Sequence, residues 1–170
     1  MKINILSLAA LIVIFILWIT PGLVCRDPWK ADEPYTFGLV YNMIQTGDWV
    51  VPALTGEPFL EKPPLFFATA AQFGRMFSPP LGLIDATRLS TAFYMFLAVL
   101  FFALTAREIY GTQYGAIAFI LLIGCVHLQV TAHKLITDVS LFTGFSVAFY
   151  GFAVSRRRPW AGGVRRRAGE

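Results

Sequence analysis

Four uncharged stretches set the pattern of this chain. Ile3–Val24 carries no formal charge over 22 residues and Leu89–Ala106 none over 18. Ile109–Ala132 carries none over 24 with His127 neutral, and Val139–Ser155 none over 17. A helix needs about 20 apolar residues to cross the hydrocarbon core, with about 17 as the lower limit. The pattern predicts an all-α integral membrane fold with about four transmembrane helices, near residues 3–24, 88–106, 112–132 and 138–155.

The segment between the first two stretches, residues 25–87, is too long for a turn and too apolar to stay disordered. Pro34 suits the first turn of a helix, where its absent N–H costs nothing. Phe37, Val40, Tyr41 and Ile44 then repeat at i, i+3, i+4 and i+7, and Gly47 stands at the C-terminal cap. This predicts an amphipathic helix lying in the membrane interface. A second helix is expected to begin at Pro63-Pro64 and run through Leu65–Met76, with Val51–Leu60 as irregular loop. The chain shows no internal repeat.

Composition agrees with the pattern: 56% of the 170 residues are hydrophobic, 14% are charged and mean hydropathy is +0.63. A soluble domain carries about 25% charged residues. Seven of the ten acidic residues lie between the first and second stretches, and six of the fourteen basic ones follow Ser155. A basic balance can mean nucleic acid, but a terminal arginine cluster beside a hydrophobic helix is explained by orientation in the membrane, and no nucleic-acid partner is expected. Lys2, Arg107 and the basic tail 156–170 then share the cytoplasmic side with both termini, leaving loop 25–87 and the His133–Asp138 turn outside.

Lys2 and the first stretch also resemble a signal peptide, but the apolar core is long and no small-x-small site follows. Gly22-Leu23-Val24-Cys25 has Val where a lipoprotein box needs a small residue, so a retained anchor is expected. Cys25 and Cys125 form no framework, because Cys125 falls inside a predicted span.

Several groups carry possible chemistry. Asp32-Glu33 can act as a general base for a hydroxyl or bind a divalent cation, or can simply favour the positive end of a helix dipole. Lys62 precedes Pro63-Pro64, where a helix start presents free N–H groups to an anion; the other reading is a lysine snorkelling from the interface, with Glu61 as a partner. Asp138 opens the fourth stretch, either as a costly functional acid or, with Thr137, as a cap. His133 reads as a hydrogen-bonded interfacial residue, since one histidine near one carboxylate makes a poor metal site. Gly47-Asp48-Trp49 reads as a helix stop, turn residue and interfacial indole, and Arg75 and Arg88 as interfacial anchors. Asp32, Glu33, Lys62 and Asp138 all fall on one membrane face in this topology.

Asp32-Glu33, Gly47-Asp48-Trp49-Val50-Val51-Pro52, Gly56 and Glu61-Lys62-Pro63-Pro64-Leu65, taken in order, resemble the N-terminal region of the polyprenyl-phosphate-dependent glycosyltransferases. These comprise the aminoarabinose transferases of lipid A and the wider protein mannosyltransferase family, with the GT-C membrane fold. Ala86-Thr87-Arg88-Leu89 and the turn ending at Asp138 fall where that family has its second span and second acidic loop. The resemblance covers about residues 1–155, the first third of such an enzyme, and the Arg-rich tail lies outside it.

The resemblance implies a bacterial inner-membrane, multi-pass enzyme that moves a sugar from a polyprenyl-phosphate donor to lipid A or a protein outside the cytoplasm. Asp32, Glu33 and Asp138 would be the catalytic acids, Lys62 would meet the lipid phosphate, and Tyr35 and His133 would line the substrate site. The family often has an aromatic where this chain has Thr36, with Tyr35 just before it. No cofactor is required, and a divalent metal is compatible. As a fragment, the chain is expected to insert and bind lipid without transferring sugar. The other reading is a non-catalytic membrane protein of the same fold: a truncated paralogue, scaffold or lipid-binding subunit. A transporter is disfavoured, because the spans show no midplane charge and no predicted break.

Overall fold

The computed structural model describes residues 5–78 and 80–156. Seven helices account for 69% of the described residues. They run α1 Ile5–Ile19, α2 Asp32–Thr46, α3 Leu65–Phe77, α4 Leu83–Tyr110, α5 Tyr114–Ile123, α6 Val126–Thr131 and α7 Asp138–Ser155. Two of them, α4 and α7, are long and apolar enough to cross a membrane. Within their most apolar windows only 33% and 22% of residues are buried, unlike the core helix of a soluble domain. Large apolar side chains instead face outward, among them Phe96, Phe102, Leu141, Phe149 and Phe152.

The predicted second and fourth spans correspond to α4 and α7, α4 extending beyond the uncharged run at both ends. The first stretch differs. Helix α1 stops at Ile19 because Pro21 disfavours a helical residue before it, and Gly22 turns the chain with φ 83°. The predicted third span is broken into α5 and α6. Cys125 is extended between them, with φ −68° and ψ 117°. The Gln129 amide donates to the Ile123 carbonyl at 2.6 Å and accepts from the Trp18 indole at 2.8 Å, satisfying a carbonyl that the break releases. The absence of a break used against a transporter therefore does not hold.

Helix α4 is the central element, packed by α3, α5 and α7, with α2 packed mainly on α3 and touching α4 at its start. Leu39, Val40, Met43, Phe66, Phe67, Met95 and Val99 form the buried core, and α1 joins through Phe15 and Ile19. Gly74 of α3 makes a close crossing possible: a Cβ there would stand 2.9 Å from Thr87 Cγ2 and 3.1 Å from Ile44 Cδ1.

Two further expectations change. The buried face of α2 is Thr36, Leu39, Val40 and Met43, about one residue round from the predicted stripe, and Tyr41 is exposed. Phe37 and Ile44 of the predicted stripe are partly buried against the same core, and α2 packs on α3, so this helix packs on protein rather than only on an interface. Gly47 does cap it, with φ 72° and its N–H on the Met43 carbonyl. The loop Val51–Leu60 holds a short hairpin, β1 Ala53–Leu54 antiparallel to β2 Glu57–Pro58. Thr55 and Gly56 between them both have positive φ, 53° and 89°, as a type I′ turn demands. The tail 157–170 and residues 3–4 lie outside the described residues.

Candidate functional site

The first turn of α2 separates two neighbouring carboxylates. A helix advances its side chains by about 100° per residue, so Asp32 and Glu33 point to different surroundings. Glu33 is fully buried and accepts five hydrogen bonds. One oxygen receives Arg88 Nε at 2.9 Å, Arg26 Nη2 at 3.0 Å and the Leu135 N–H at 3.2 Å. The other receives the Trp29 N–H at 2.7 Å and Arg26 Nη1 at 2.8 Å. Burial alone would raise the Glu33 pKa. The guanidiniums of Arg26 and Arg88, with the N–H groups of Trp29 and Leu135, outweigh it and hold the carboxyl below its ordinary 4.5.

Arg88 is buried too and donates to Asp85 Oδ1 and the Arg26 carbonyl, each at 2.8 Å. Asp85 Oδ2 in turn accepts the Cys25 N–H at 3.0 Å. Arg26 reaches the carbonyl of His133 at 2.7 Å and that of Gly22. Two arginines and two acids thus form a neutral knot joining the turn after α1, α2, α4 and the turn before α7. Such a set tolerates burial because every charge has a counter-charge and directed hydrogen bonds, although Arg88 Nη2 is buried without a partner among the described residues. Arg88 is therefore not an interfacial anchor. Glu33 has no lone pair free for an acceptor hydroxyl or a metal, and it serves to position its neighbours.

Asp32 is exposed and has no side-chain partner among the described residues. Its backbone is held by the knot, so a free carboxylate stands on a fixed mount. Lys62 crosses to the start of α7, donating to Thr137 Oγ1 at 2.8 Å and lying 3.9 Å from Asp138 Oδ1. The lysine is about half exposed and Asp138 more so, and its partners are these two rather than Glu61. Thr137 makes no side-chain cap for α7. The Glu33–Leu135 bond brings the 133–138 segment to the start of α2, so Asp32 and the Lys62–Asp138 pair belong to one end of the bundle without touching.

The remaining sequence candidates are placed differently. Both ring nitrogens of His133 face backbone carbonyls, Gln129 at 2.8 Å and Trp18 at 3.1 Å, and the ring packs on Trp18. It is nearly buried and has no nitrogen left for substrate. Tyr35 is exposed, its ring edge-on to Phe59 at 5.7 Å. Arg75 lies 5.5 Å over the Trp49 ring, which turns two expected anchors into one contact. Among the described residues no three His, Cys, Asp or Glu side chains gather as a metal site. The role of Arg26 was missed and no local spacing signals it; for Arg88, the i,i+3 spacing from Asp85 was the available signal.

No protein-family model, no curated protein and no solved structure matches this chain.

Proposed function

We propose that this chain is the front part of an integral membrane glycosyltransferase that takes a sugar from a polyprenyl-phosphate donor and delivers it to lipid A or a protein acceptor on the extracytoplasmic side. The carrying observation is that Asp32, exposed and without a side-chain partner among the described residues, stands at the same end of the bundle as Lys62. In this reading α1, α4, the broken α5–α6 unit and α7 make four crossings of a bacterial inner membrane, with both termini cytoplasmic. Asp32 takes the proton from the acceptor hydroxyl. Lys62 meets the lipid phosphate as it leaves, because charge developing on the leaving group is where a fixed cation gains most. Its present pair with Asp138 is half exposed, and such pairs are worth at most about 1 kcal/mol, so a phosphate displaces the carboxylate cheaply. Asp138, once released, can orient the acceptor.

The test is binding of polyprenyl phosphate to the protein in liposomes, followed by transfer from a labelled polyprenyl-phosphate sugar. A charge-assisted contact is worth about 1.5–3 kcal/mol, so Lys62→Ala should bind the phosphate at least tenfold more weakly while Lys2→Ala binds as wild type. In a version extended by the rest of the enzyme, Asp32→Asn should keep binding and abolish transfer. Equal binding by the Lys62 variant rejects the phosphate role. Transfer that survives Asp32→Asn rejects the base.

A further inference from the structure

A cleft of 740 Å³, whose lining does not include Asp32, Lys62 or Asp138, lies between the end of α1, the 21–29 turn and the 129–134 segment. That volume is within the range of about 300–1,000 Å³ that holds small ligands. Its walls carry Trp18 and Trp29, and its charged or titratable lining is Arg26, Asp27, His133 and Lys134.

These groups are not equally available. Arg26 is committed to Glu33 and to the carbonyls of Gly22, Asp27 and His133. His133 has both nitrogens on carbonyls. That leaves the Asp27 carboxylate and the Lys134 ammonium, neither with a side-chain partner among the described residues and not paired with each other. The free chemistry of the cleft is thus one anion and one cation held apart. An anionic ligand would be attracted by the lysine and repelled by Asp27 to a similar degree.

We propose that this cleft binds a zwitterionic phosphate ester bearing a primary amine, the headgroup chemistry of an ethanolamine phospholipid. Lys134 takes the phosphate and Asp27 the ammonium, whose N–H groups donate to a carboxylate. A quaternary ammonium would need an open aromatic cage. Trp18 cannot supply one wall of it freely, because its ring already packs on Phe15 and His133. Trp29 is exposed while its N–H is tied to Glu33, so an indole is presented beside the cleft on a fixed backbone. Indoles of this kind favour the headgroup level of a bilayer.

The full chain, purified and mixed with equal amounts of ethanolamine, choline and glycerol phospholipids, is read by native mass spectrometry for retained lipid. The ethanolamine lipid should be retained about fivefold over the choline lipid, the factor expected of one net hydrogen bond to the carboxylate that a quaternary ammonium cannot donate. Asp27→Asn should remove that preference, and Lys134→Gln should reduce retention of both zwitterions. Equal retention of ethanolamine and choline lipids by wild type overturns the primary-amine assignment, and preference for the glycerol lipid overturns the zwitterion. Soluble glycerophosphoethanolamine, titrated against Trp29 fluorescence with Trp29→Phe as the blank, separates this proposal from the membrane reading. A response that Asp27→Asn removes supports the site even if the protein does not enter bilayers; no response, together with no lipid preference, overturns it. Glycosyl transfer is not a readout, so loss of the transferase reading leaves these outcomes unchanged.

Discussion

Replacing Glu33 by Gln tests the knot most directly. The change conserves shape but removes the only carboxylate that both arginines share, and it puts an amide N–H where one oxygen now accepts from Trp29 or Arg26. Arg88, with no exposed surface, then has Asp85 alone as counter-charge. Breaking one partner out of a buried pair costs about 3–5 kcal/mol, a large part of the stability of a small helical unit. Asp32→Asn, one residue away, should stay within about 0.5 kcal/mol of wild type, as exposed substitutions without partners do. Unfolding by denaturant in mixed micelles, followed by tryptophan fluorescence, measures both. Adding Arg88→Met to Glu33→Gln should recover part of the loss, because the uncompensated charge goes with it. A Glu33→Gln protein within about 1 kcal/mol of wild type would refute the buried-charge argument, since exposed or screened pairs give no more. The same group sets an acid limit. Its native pKa is below 4.5, so its contribution is fully present above that value and is lost as pH falls through the depressed native pKa. Wild type should lose stability below about pH 4.5 more steeply than Glu33→Gln, which has no such proton to gain.

Gly74→Val should destabilise by about 1–3 kcal/mol in the same assay, because the added methyls overpack a crossing already filled by Thr87 and Ile44; a neutral result would mean that α3 and α4 can separate at no cost. For topology, Glu57→Cys and Gly162→Cys in a background without Cys25 and Cys125 should label from opposite sides of the membrane. Labelling of both from one side rejects four crossings with cytoplasmic ends.

The sequence alone identified the elements whose cause is local. Long uncharged runs led to α4 and α7, Gly47 ended α2, and Pro63-Pro64 preceded α3, because apolar length, a left-handed cap and a fixed proline φ act within a few residues. The hairpin was local too, but its turn residues, Thr55 and Gly56, lie in a stretch whose prolines suggested irregular chain. The break at Cys125 was invisible to a count of apolar residues, since it is held by the Gln129 side chain within the run and by Trp18 from another helix. The packed face of α2 was legible in part: Phe37, Val40 and Ile44 do meet the core, while Tyr41 is exposed and the fully buried positions lie about one residue round, at Thr36, Leu39 and Met43. The greatest difference concerns charge. Asp32 and Glu33 are adjacent and chemically alike, and nothing in their order separates them. Only the tertiary structure decided that Arg26, Arg88 and the Leu135 N–H would converge on Glu33 from 7, 55 and 102 residues away, burying it and leaving Asp32 free.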